Sequence, residues 1–125
     1  MLCYISGKVT FGNFLPEKKL RDEYLKASIF CLCSTKENPG AVRGEAMAMA
    51  VPIITTATSG SEMVKGRGIV IPIGDEKALT TGLEKLMSDP QLRRKIGYLE
   101  RKWAERLRAD LVVKKMLSEL GYVVK

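Results

Sequence analysis

Two carboxylates, Glu37 and Glu45, bracket seven residues in the stretch STKENPGAVRGEAMAMAVP at 34–52. Between them lies a Pro39-Gly40 turn, and the Ala/Met-rich run that follows reads as a helix carrying Glu45. Gly40 lets the backbone approach a ligand with no Cβ in the way. The helix that follows offers unpaired amides and the positive end of a dipole, which together suit a phosphate. A carboxylate beside that phosphate would repel it, so the two acids fit neutral hydroxyls, whose protons they accept. Glu45 on the helix suits the paired hydroxyls of a ribose, as the acid of dinucleotide folds does, and Glu37 on the loop suits a second sugar. The chemistry this describes is the holding of a phosphorylated, polyhydroxylated molecule, most simply a nucleotide sugar. Taken singly, each residue also has an ordinary reading: Glu45 as a solvated helix side chain, Glu37 and Gly40 as turn residues.

Such a loop must be presented by a frame, and the rest of the chain spells one. The run KVTFGNF at 8–14 is β-rich and broken by Gly12, so a strand ending in a turn is expected. Pro16 and Glu17 open a helix with Leu20, Tyr24 and Ala27 on one face. The continuous apolar run SIFCLC at 28–33 suits a strand buried on both faces. The helix bearing Glu45 should end near Ala50, and PIITT from Pro52 is the next strand. ATSG at 57–60 is a turn, 62–64 one helical turn, and IVIPI from Ile69 another strand. Asp75 caps a helix with Ala78, Leu79, Leu83, Leu86 and Met87 on one face. Ser88 or Asp89 caps the next, with Pro90 at its first position, and a last helix at 111–120 ends at Gly121. The alternation predicts an α/β fold with a Rossmann-like parallel sheet flanked by helices. Ligands of such sheets bind outside the carboxyl ends of the strands, which points to the loops at 12–14, 34–44 and 56–62.

The chain's 125 residues, 46% apolar and 28% charged, describe one soluble domain over 1–125, with C-terminal helices at about 90–120. No membrane span or signal peptide is expected. Cys31 and Cys33 face one side of their strand and, with no histidine in the chain, lack a zinc set. Buried free thiols in a reducing, cytoplasmic compartment are expected. The net charge of +7 is concentrated at 84–125. Arg93, Arg94, Lys95, Arg101, Lys102, Arg106 and Arg108 are interleaved with Glu100, Glu105 and Asp110 and have no aromatic ladder. That favours a solvated helix face, speaks against nucleic acid, and leaves a peripheral contact with an anionic membrane as the second reading.

Glu37, seven residues, then EAMA at 45–48 and Pro52-Ile53-Ile54 closely resemble the signature of the group 1 retaining glycosyltransferases of GT-B fold. The flanks agree in order. Val9-Thr10-Phe11-Gly12 is similar to the family's V-x-F strand and glycine turn. Residues 20–34, with Tyr24, Ala27 and Ser34, resemble its next helix and strand. Ser59-Gly60-Ser61-Glu62 and the strand at 68–71 also fall in register. The resemblance covers the chain to about Leu107.

It implies the donor-binding part of a C-terminal GT-B domain, with a nucleotide sugar as substrate and no further cofactor or metal. Glu37 would hold the transferred sugar, which makes it the candidate catalytic residue. Glu45 would hold the ribose, the backbone at Gly40, Ala41 and Val42 the sugar and phosphate, and Gly12, Asn13 or Phe14 the base. The reaction implied is transfer with retention to an unspecified acceptor. The sequence departs from the family at Asn38-Pro39, at Arg43-Gly44 where apolar residues are usual, and at Ala50 where a glycine is usual. Neither the family's acceptor-binding domain nor its Arg/Lys diphosphate clamp is recognisable. Little transferase activity is therefore expected of this chain alone, with an acceptor domain on another chain or self-association completing it. A non-catalytic nucleotide-binding or protein-interaction module of the same fold is the alternative.

Overall fold

The computed structural model describes residues 9–37 and 41–107, together with Ser118 and Gly121. The expected helix at 111–120 falls almost wholly outside them, and so does Gly40.

Among the described residues three short strands form a parallel sheet in the order β1 (Phe30–Leu32), β2 (Ile53–Thr56), β3 (Ile69–Ile71). Phe30 pairs with Ile53 and Leu32 with Thr55 on one side of β2; Ile54 pairs with Ile69 and Thr56 with Ile71 on the other. β2 is the central strand and all four of its residues are buried, as a run of Ile-Ile-Thr-Thr between two neighbours and two helical layers requires. Successive side chains of β2 enter opposite cores. Ile53 joins Tyr24, Ala46, Met47, Val51 and Val64, contributed partly by α1 (Glu17–Lys26) and α2 (Ala41–Ala48). Ile54 joins Ile71, Leu86 and Ile96, from β3, α3 (Glu76–Ser88) and α4 (Pro90–Ala104). Ser61–Met63 and Glu105–Leu107 are single 3-10 turns.

The helix starts follow local chemistry. Pro16 stands at the cap position of α1 with Glu17 in its first turn. The Asp75 carboxylate accepts from the Ala78 amide at 2.9 Å, and that of Asp89 from Leu92 at 3.0 Å, with Pro90 the first residue of α4. α4 links the two layers. Its Ile96 packs in one core and its Trp103 against the other, and between them Glu100 accepts the Ile53 amide at 3.1 Å through Oε1. α4 thus crosses beneath the amino ends of the strands.

Four expectations are corrected. Residues 9–14 form no strand; Phe11 and Phe14 are 88% and 93% exposed. A strand exists only through a paired neighbour, and nothing among the described residues pairs with this segment. Gly12 and the positive φ of Asn13 (51°) also interrupt its extended backbone. Secondly, Cys31 and Cys33 are exposed rather than buried. They do share one side, with sulfurs 3.3 Å apart, but among the described residues β1 is an edge strand and α3 packs over β2 and β3 instead. Thirdly, Glu100 does not belong to a solvated face, for it is 0% exposed. Fourthly, part of the basic series is bound to backbone: Arg93 donates to the carbonyls of Leu86 and Met87, and Arg101 to that of Ala48, each at a helix C-terminal end where a cation is favoured. Among the described residues no helix is long and apolar enough to cross a membrane.

Candidate donor site at the carboxyl edge

Glu37 follows β1 and is half-buried. The Ser34 hydroxyl donates to its Oε1 at 2.6 Å, and the Ser34 carbonyl accepts from Thr56 Oγ1 at 2.5 Å. The loop after β1 is thereby fastened to the end of β2, and Glu37 is held against its own loop, with Oε2 unpartnered among the described residues. The nearby cleft of about 180 Å³ is lined by Cys33, Thr35, Thr56, Ile71, Pro72 and Gly74, all at the carboxyl ends of the three strands.

Glu45 lies on α2, exposed. The Tyr24 phenol, from α1, donates to its Oε2 at 3.0 Å. Burial first, then this hydrogen bond and the charge of Glu45, push the Tyr24 hydroxyl up to about 12, so it stays a proton donor throughout the neutral range. A groove of about 230 Å³ runs alongside, lined by Glu17, Leu20, Arg21, Tyr24, Glu45 and Met49. A larger cleft of about 730 Å³, bordered by Thr58, Glu62, Lys65 and Gly66, is lined by neither acid.

α2 begins at Ala41, so Ala41 and Val42 occupy the first turn whose amides have no acceptor within the helix. Val42 is exposed. The same turn contains a residue near the site to which the sequence pattern assigns no role. Arg43 is 1% exposed. Its Nε donates to Thr55 Oγ1 at 3.1 Å, Nη1 to the Ser59 carbonyl at 2.9 Å and Nη2 to Thr58 Oγ1 at 2.6 Å. Every acceptor is neutral, and no carboxylate pairs with it among the described residues. A buried guanidinium with only neutral partners is costly to desolvate. It locks α2 to the loop after β2 and adds a full positive charge behind the helix start. The one signal in the sequence was that Arg43 stood where apolar residues are usual.

Glu37 and the first turn of α2 are thus joined through Ser34, Thr56, Thr55 and Arg43, and Glu45 is joined to α1. Gly12, Asn13 and Phe14 share no hydrogen bond with this network among the described residues. Glu37 and the start of α2 thus stand at the carboxyl edge of the sheet, while Glu45 borders the groove beside α1, and none of these clefts is lined by both acids.

Comparison with known proteins gives this arrangement relatives. Residues 3–103 match the family model of the glycosyl transferases group 1. Over 85 residues, 66% of the chain, it is 38% identical to the capsular polysaccharide biosynthesis glycosyltransferase CapM of Staphylococcus aureus. Over 110 residues, 80% of the chain, it is 28% identical to the GDP-mannose-dependent alpha-(1-6)-phosphatidylinositol monomannoside mannosyltransferase of Mycolicibacterium smegmatis. Among solved structures, sucrose-phosphate synthase from Thermosynechococcus elongatus superposes with a TM-score of 0.77 at 25% identity over 90% of the chain. The chain spans 22%, 29% and 29% of the lengths of these three proteins.

Proposed function

The chain belongs to the group 1 glycosyl transferases and has a GT-B-type fold, and from that premise we propose that it supplies the nucleotide-sugar side of a retaining glycosyl transfer. Glu45 takes the ribose hydroxyls and Glu37 the hydroxyls of the transferred sugar. The amides from Gly40 to Val42 take the sugar and the phosphate, and the turn at Gly12, Asn13 and Phe14 takes the base. The observation that carries this reading is the different presentation of the two acids. Glu45 is exposed and tied by one oxygen, while Glu37 is half-buried and tied to its own loop. Both are dressed as hydroxyl acceptors. The chemical task is then to stabilise the departing nucleoside diphosphate with preorganised donors and positive charge. Arg43 and the start of α2 provide these from behind. Because binding is the role of both acids, a two-carboxylate hydrolase mechanism is not implied. The chain by itself holds the donor, and transfer awaits an acceptor-binding partner surface.

Calorimetry with UDP-, GDP- and ADP-sugars tests this, with GDP-mannose first in the panel because one relative is named for it. One of them is expected to bind, and Glu45→Ala to weaken that binding by about tenfold or more, the worth of a hydrogen bond to a charged group. Absence of binding by every member at millimolar concentration overturns the reading.

A further inference from the structure

Tyr24 and Glu45 lie 21 residues apart, on different helices, and meet at 3.0 Å. Tyr24 is 8% exposed and belongs to the core cluster of Ala46, Met47 and Val51. Its ring rests on Phe30, centroids 5.8 Å apart. Only its hydroxyl reaches the exposed carboxylate, and among the described residues Glu45 Oε1 has no partner. A glutamate on a helix surface ordinarily samples many rotamers, and ordering it on binding costs free energy. Here the cost is met in advance, because an anchor fixed in the core holds one oxygen and leaves the other available. We propose that Tyr24 is a positioning residue that fixes the Glu45 carboxylate so that its Oε1 receives the two vicinal hydroxyls of a nucleotide's ribose. The proposal rests on the donor-site reading of Glu45.

Nothing in this role needs Tyr24 to touch the ligand. Its donor proton serves the carboxylate, and a charge-assisted O–H···O⁻ contact is among the stronger and more directional of hydrogen bonds. Preorganisation of this kind shows itself as selectivity. It should strengthen binding of a molecule that presents both hydroxyls and leave unaffected one that lacks them. A contact that merely joined α1 to α2 would alter both alike.

The probes are UDP, GDP and ADP, each beside its 2′,3′-dideoxy counterpart, measured with the whole chain. The unmodified chain is expected to prefer one ribonucleotide to its dideoxy form by about tenfold or more. Tyr24→Phe should lose most of that preference by weakening only the ribonucleotide. Glu45→Gln should abolish it, and adding Tyr24→Phe to Glu45→Gln should change nothing further. Equal weakening of both ligands by Tyr24→Phe, or an undiminished preference, overturns the positioning role while leaving the donor site standing. Absence of any preference in the unmodified chain overturns both. Should Tyr24→Phe fail to fold, the Tyr24 ring Cζ resonance of the unmodified chain gives the answer. It is expected to move on adding the ribonucleotide and not the dideoxy form, and an unmoved resonance in both cases overturns the proposal.

Discussion

Ala50 sits in the left-handed region, φ 57°, just past the end of α2. Its amide donates to the Met47 carbonyl at 3.0 Å and that of Val51 to the Ala46 carbonyl at 3.0 Å. These two bonds are the Schellman closure of a helix, whose left-handed residue is ordinarily glycine. Here a Cβ is carried where the backbone disfavours one. Ala50→Gly is therefore expected to stabilise the fold by about 1 kcal/mol, read as a higher urea midpoint at unchanged slope. The resemblance to the family's pattern made this position legible in the sequence as the place where a glycine is usual. It marked Arg43 only as a departure near the site. An arginine on a helix reads as solvated, and only the closeness of Thr55, Thr58 and Ser59 in space reveals a buried one. The pairing of Tyr24 with Glu45 was hidden for the same reason, since Tyr24 reads as one more residue on the inner face of α1.

At the scale of elements, what governs the site's frame is the closeness of α2 and α4. An ideal Cβ on Gly97 would lie 2.4 Å from the Ala50 carbonyl oxygen and 3.2 Å from its carbonyl carbon. These are backbone atoms, unable to turn aside. Gly97→Ala must push α4 away from the end of α2, at a cost on the order of 1–3 kcal/mol, checked by thermal unfolding. The contact explains why a glycine is tolerated in the middle of a 15-residue helix, where in isolation it is unfavourable. The helices themselves were readable from the sequence because caps are local: Asp75 and the Asp89-Pro90 pair announce α3 and α4 within a turn of their starts. Strands are not local. IVIPI and PIITT are strands because each finds a neighbour. KVTFGNF has equal β character but no paired neighbour among the described residues. SIFCLC is a strand, yet its place at the edge of the sheet among the described residues leaves its thiols exposed.

Over the whole molecule, one buried acid couples the fold to pH. Glu37 follows the carboxyl end of β1, whereas Glu45 is joined to Tyr24, whose ring rests on Phe30, the first residue of β1. At the amino ends, Glu100 is buried beneath β2, and among the described residues its Oε2 has no hydrogen-bond partner. Burial raises its pKa from 4.5 to about 8, against the opposing effect of the Ile53 amide. The folded chain therefore holds a proton on Glu100 over a range in which the unfolded chain has released it. By linkage, stability falls as pH rises across that interval, with this group contributing a slope approaching about 1.4 kcal/mol per pH unit, and levels off once the folded carboxyl has ionised. The sign is opposite to that of an acid held by a cation. Glu100→Gln keeps an acceptor for the Ile53 amide and removes the charge. It is expected to flatten the decline in urea midpoint between pH 5 and pH 8 and to leave the variant more stable than the unmodified chain above pH 8. A decline of unchanged steepness in the variant would assign it to other groups. Glu100 bonds the Ile53 amide and Glu45 bonds Tyr24, two separate contacts among the described residues, so the variant should keep the ribose preference proposed for the donor site at each pH. The acid that sets the fold's pH response and the acids proposed to meet the ligand can then be tuned separately.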